Sequence, residues 1–123
     1  MTQEDRQILL KDLSSRLPYG VRYRRFAWDD KREEECISAK IYSISPDGYV
    51  RNYHEDESDY IDNVRPYLFP LSSITKKRLE ELSEYIDIKN AYVAVDLLNS
   101  HHIDYRGLIE KGLAIDATGL GIY

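Results

Sequence analysis

The chain has 123 residues, is 42% hydrophobic and 32% charged, and carries a net charge of −5. That length fits one domain with one real core, and the composition excludes collagen, coiled coil, low-complexity disorder and a membrane span. A single cysteine, Cys36, excludes an intrachain disulfide and a cysteine-rich zinc site and fits a reducing compartment, so a cytoplasmic location is expected.

The first predicted element is a helix over residues 1–18. Thr2 is suited to cap it, with Asp5 three residues on in a capping-box position. Leu9, Leu13 and Leu17, flanked by Ile8 and Leu10, make an apolar stripe at helical spacing, and Pro18 and Gly20 end it. Its polar start is no signal peptide. A β region is expected over residues 19–68. Residues 21–28 are rich in strand formers. Residues 36–45 alternate, with Ile37, Ala39, Ile41 and Ser43 on one face and Cys36, Ser38, Lys40, Tyr42 and Ile44 on the other. Ser45, Pro46, Asp47 and Gly48 form a strong turn signal, and residues 49–54 return as the hairpin partner. A shorter strand is expected over 60–68. Pro66 and Pro70 then bracket an apolar linker that leaves the sheet.

Residues 72–123 read as a helical region with a short C-terminal element. Ser72, Ser73 and Thr75 are available as N-caps. Leu79, Leu82 and Ile86 follow at helical spacing, although Lys76, Lys77 and Arg78 oppose the helix dipole. Asn90 is placed to cap a second helix running to Ser100, with Val95 and Leu98 inward. Residues 104–107 read as a turn, residues 113–115 as a short strand, and residues 117–123 as a fraying tail. The expected fold is α+β: an N-terminal helix, a small antiparallel sheet or SH3-like partly closed barrel, and two C-terminal helices.

Charge is uneven along the chain: net +3 over residues 1–26, −7 over 27–63 and −1 over 64–123. The acidic middle and the bias toward tyrosine, 11 against two Phe and one Trp, point to contact with another protein. The candidate surface is Tyr49, Tyr53 and Tyr60 with Glu55, Asp56 and Glu57. The alternative is a small nucleic-acid-binding barrel that presents Arg22, Tyr23, Arg24, Arg25 and Arg51, because interleaved Arg and Tyr suit phosphates and stacked bases. The acidic total weighs against that alternative. A C2 homodimer through the tyrosine-rich sheet is a further way to cover it.

His101, His102 and Asp104 form the one cluster that resembles a site. His102 and Asp104 supply two metal ligands at best, so no metal or cofactor is expected. A His102–Asp104 dyad acting on Cys36, Ser72 or Ser73 is the least favoured reading, since no nucleophile motif surrounds any of them. Histidine at a helix end, and Asp104 and Arg106 buttressing a turn around Tyr105, are the simpler roles.

Two stretches carry a resemblance. Pro66-Tyr67-Leu68-Phe69-Pro70-Leu71-Ser72-Ser73-Ile74-Thr75 resembles the KPYLFPLSSMT segment of a group of short uncharacterised proteins that recur in gut anaerobic bacteria, their prophages and mobile elements. Leu97-Leu98-Asn99-Ser100-His101-His102-Ile103-Asp104-Tyr105-Arg106-Gly107-Leu108-Ile109, followed by Gly112-Leu113-Ala114, is similar to that group's WLNxHHxDYRGLIxxGLA ending. The opening, with Asp12-Leu13 and Leu17-Pro18-Tyr19-Gly20, is also similar. Leu97 stands where the group usually has Trp, and Lys76 and Lys77 where it has acidic residues. The resemblance implies no activity. It implies a setting, that of a small accessory or host-takeover factor.

Overall fold

In a computed structural model the chain is described over residues 1–25, 39–53, 58–78, 80 and 91–123. Outside the described residues lie predicted strand positions 26–28 and 36–38 with Cys36, His54 with the acids Glu55, Asp56 and Glu57, Leu79, Leu82 and Ile86, and the cap Asn90.

Helix α1 spans Gln3–Arg16, and its start is the expected capping box. The Thr2 hydroxyl accepts from the Asp5 N–H at 3.1 Å, and the Asp5 carboxylate accepts from the Thr2 N–H at 3.2 Å. Its buried face is Leu9, Asp12, Leu13 and Arg16, which share one side at spacings of three and four. Leu17 to Tyr19 continue as a 3₁₀ turn, which Gly20 closes in the left-handed conformation.

The sheet is mixed and open. Strands β1 (Arg22–Arg25), β2 (Ala39–Ile44), β3 (Tyr49–Asn52), β4 (Ser58–Tyr60), β5 (Val64–Pro70) and β6 (Ile103–Asp104) lie in the order β4-β3-β2-β1-β5-β6, and β7 (Ile115–Asp116) also pairs with β5. The ladders from β4 to β5 are antiparallel, while β6 and β7 run parallel to β5. The α+β class holds. The sheet is not closed into a barrel, and its two parallel pairings replace the wholly antiparallel sheet expected. Those pairings bring in residues 103–116, whose two-residue strands are too short to show alternation in a sequence.

The hairpin forms at the expected turn. Gly48 donates to the Ser45 carbonyl at 3.1 Å and Ser45 to the Tyr49 carbonyl at 2.8 Å, with Gly48 at φ +92°. Across the hairpin, Ile41 faces Asn52 and Ser43 faces Arg51, so Tyr42 is the extra residue of a β-bulge. The bulge corrects the predicted alternation: Ile44 returns to the core side with Ile41 rather than sharing a face with Tyr42.

The segment between the two prolines is a strand, not a linker. β5 changes partner along its length, β1 over 64–66, β7 over 67–68 and β6 over 69–70. No single ladder therefore has to continue through both Pro66 and Pro70, which lack the N–H donor. The strand expected over 60–68 is accordingly split by a 3₁₀ turn at Ile61–Asn63.

The core lies between α1 and one face of the sheet. It joins Leu9 and Leu13 to Val21, Tyr23, Ile41, Val50, Ile61, Val64, Leu68, Leu108 and Leu113. Arg6 clips the helix to the turn before β5 through both Asp62 oxygens, at 2.8 and 3.0 Å. Helix α2 spans Ala91–Ser100. It turns Ala94 and Asn99 inward, half-buries Leu98 and leaves Val95 exposed, so the expected inward role of Val95 is not met. Residues 76–78 are helical, as predicted for the start of the preceding helix. The tail does not fray. The Tyr123 hydroxyl accepts from the Arg22 N–H and donates to the Tyr67 carbonyl, each at 2.8 Å.

Candidate functional site

Asp12 and Arg16 are fully buried, one helical turn apart on the core face of α1. Arg16 donates to both Asp12 oxygens at 2.8 and 3.1 Å and to the Ile103 carbonyl at 2.5 Å. Arg106 approaches the same carboxylate at 3.4 Å and donates to the Tyr105 hydroxyl at 2.9 Å. That hydroxyl donates in turn to the buried Asn99 side-chain oxygen at 3.0 Å. The Tyr105 ring lies against both guanidinium groups, at 5.2 Å from Arg16 and 4.7 Å from Arg106. Thus the N-terminal helix and the residues that follow α2 meet in one polar network. Its sequence signal was the spacing of Asp12 and Arg16, which places two charges on the face that Leu9 and Leu13 define.

His102, two residues beyond the end of α2, lies at φ +58°, the one non-glycine residue with positive φ among the described residues. Its ring stacks on Tyr123 at 3.7 Å between centroids, and its Nδ1 is buried without a hydrogen-bond partner among the described residues. Burial, with the nearby Arg16 and His101, lowers its pKa to about 4, so the ring is neutral at neutral pH. Tyr123 is pushed up to about 12 by the same burial.

The His102–Asp104 dyad does not form. Both Asp104 oxygens accept backbone N–H groups, from Leu108 and Ile109 at 2.9 Å each, and so cap the turn that follows. Asp104 and Arg106 do not pair either, since Arg106 turns back to Asp12. Ser73 donates to the Pro70 carbonyl at 2.6 Å and lies on an exposed 3₁₀ turn with Ser72. Among the described residues no group of three His, Cys, Asp or Glu side chains is placed to hold a metal ion, and no helix is long and apolar enough to cross a membrane.

The Arg and Tyr set of β1 is mostly committed to the interior. Tyr23 is buried, donates to Asp59 at 2.6 Å and accepts from Asn52 at 3.0 Å. Burial and the Asp59 hydrogen bond raise its pKa. Arg25 pairs with Asp59 at 2.5 Å, and Arg24 is half-buried and engaged within the chain. Arg22 is half-buried, and its backbone N–H is used by Tyr123. Tyr23 therefore presents no ring to a base, because the alternation of β1 points it into the core between its two arginine neighbours. Arg51 alone of the set is exposed.

The opposite face of the β2–β3–β4 sheet is where the tyrosines gather. Tyr49, Tyr53 and Tyr60 are exposed as a group, and Tyr42, which the sequence reading did not select, joins them at 57% exposure. Tyr42 and Tyr53 meet edge to face with centroids 5.1 Å apart, and Tyr49 and Tyr60, cross-strand partners, lie at 5.4 Å. The Lys40 ammonium sits 5.2 Å from the Tyr53 ring centre. The period-2 alternation in Tyr49, Arg51 and Tyr53 was the available signal; the bulge is what brings Tyr42 beside them. No family model, curated protein or solved structure matches this chain.

Proposed function

We propose that this chain is a non-enzymatic accessory protein, of the kind the resemblance to mobile-element proteins suggests, that acts by binding another protein. The observation that carries the reading is the four-tyrosine face of β2, β3 and β4, with both ring pairs open to solvent. Tyrosine enrichment of this kind is characteristic of protein interfaces, where rigid aromatic area comes with a polar handle. A protein is favoured over nucleic acid for three reasons. Tyr23 and Arg25 are held in the interior, the exposed rings pack in pairs against each other, and the acidic Glu55, Asp56 and Glu57 lie two to four residues after Tyr53 in the sequence. Lys40 and Arg51 on the same face keep single-stranded nucleic acid as the competing ligand.

The test is affinity capture from native-host lysate with nuclease added, using the parent chain, a Tyr42→Ser/Tyr53→Ser variant, and a variant with Glu55, Asp56 and Glu57 changed to Lys. A stoichiometric protein that survives nuclease and is lost with both variants supports the reading. Recovery that nuclease abolishes, or a dimer of this chain that the tyrosine variant dissolves, overturns it.

A further inference from the structure

A cavity of about 370 Å³ lies away from the tyrosine face, between α2 and the segment that follows β5. Phe69 and Ile103, neighbours across the β5–β6 ladder, form its floor, and Leu97 and Leu98 of α2 form one wall. Its polar lining is two hydroxyls, Ser73 and Thr75, and two nitrogen-bearing side chains. Arg78 and His101 both line it, and burial, with the nearby Arg78 charge, lowers the His101 pKa. No acidic side chain among the described residues pairs with Arg78, and none lines the cavity. A largely apolar hollow lined by one guanidinium, one imidazole and two hydroxyls, with no carboxylate among its described lining residues, is complementary to a single anionic head on an apolar body. The volume, near the lower end of the roughly 300–1,000 Å³ typical of small-molecule sites, suits one small ligand rather than a helix or a strand.

We propose that this cavity binds a small monocarboxylate with an apolar body, of the medium-chain fatty acid type, its chain against Phe69, Leu97 and Ile103 and its carboxylate between Arg78 and His101. Leu97 is one of the lining side chains. A Trp at this position, as in the resembled group, would project its indole from the same wall into the cavity.

The probe is octanoate, titrated below its aggregation concentration into the full chain and followed by amide chemical shifts. Octan-1-ol and acetate are the controls for head and tail. Saturable shifts are expected at residues around the cavity with octanoate, weaker binding with octan-1-ol, and none with acetate at equal concentration. Arg78→Gln is expected to weaken octanoate roughly tenfold while leaving octan-1-ol unchanged, the size of one lost charge-assisted hydrogen bond. Leu97→Trp is expected to abolish both. Tyr42→Ser/Tyr53→Ser should leave octanoate binding intact, which separates this site from the protein-binding face. Equal affinity for octanoate and octan-1-ol, or unchanged octanoate binding in folded Arg78→Gln, overturns the proposal.

Discussion

Arg16→Met tests the buried polar network directly. The methionine replaces the aliphatic stem and removes the guanidinium. Three hydrogen bonds go with it, two to Asp12 and one to the Ile103 carbonyl. Asp12 is left fully buried with one long contact, to Arg106 at 3.4 Å. Breaking a buried pair on one side costs about 3–5 kcal/mol, because the remaining charge stays desolvated. That is a large share of a total stability of roughly 5–15 kcal/mol. Urea unfolding followed by circular dichroism should show the midpoint falling with little change in slope. Asp12→Leu/Arg16→Met removes both charges and should cost less than Arg16→Met alone, since no ion is then stranded. If Arg16→Met costs under about 1 kcal/mol, or if the double variant costs the sum of the two single changes, the pair is not the coupled unit described here.

Three further outcomes follow from the same contacts. His102 binds its proton at ordinary pH when unfolded but only near pH 4 when folded, so its contribution to stability is complete above about pH 6.5 and is lost as pH falls toward 4. The loss approaches about 3 kcal/mol, and His102→Asn, which tolerates the left-handed backbone, should flatten that slope in pH-dependent urea unfolding. Gly48→Ala places a Cβ at φ +92° within 3.3 Å of the Tyr60 ring and 3.4 Å of Ile61, so a cost of about 1–2 kcal/mol is expected in thermal unfolding, with the Tyr49–Tyr60 pair displaced. Tyr23→Phe strips Asp59 and Asn52 of their shared hydroxyl and should cost about 1–3 kcal/mol in the same measurement; an unchanged midpoint would refute the buried network.

What the sequence made legible is what local chemistry controls. The Thr2–Asp5 box, the Ser45–Gly48 turn and the end of α2 at Ser100 all depend on neighbours within a few residues, and each stands where it was expected. Tyr49, Tyr53 and Tyr60 could be picked out as a candidate surface, but not whether they face inward or outward, since alternation separates two faces without saying which one the core covers; the structure exposes all three. The misses come from distant contacts. Pro66 and Pro70 read as strand breakers until β5 is seen to change partners between them. The tail read as loose because its anchor, Tyr123, finds its partners at Arg22 and Tyr67. The least favoured reading, a His102–Asp104 dyad, fails for the same kind of reason, since their backbone positions send the His102 ring to Tyr123 and the Asp104 carboxylate to Leu108 and Ile109.

The changing partnership of β5 has a consequence in time. The β2–β3–β4 meander is built from near neighbours and can form within microseconds. β5 is different, for its parallel neighbours are supplied by residues 103–104 and 115–116, and Arg16 waits for a carbonyl 87 residues away. Closing loops of that size costs entropy before their contacts can repay it, so these pairings are expected to form after the local hairpins. Until the last segments dock, Tyr67, Leu68 and Phe69 belong to an apolar strand lacking those two neighbours. Whatever leaves the last segments undocked, such as a truncation before residue 103, would expose that strand edge and favour association between copies.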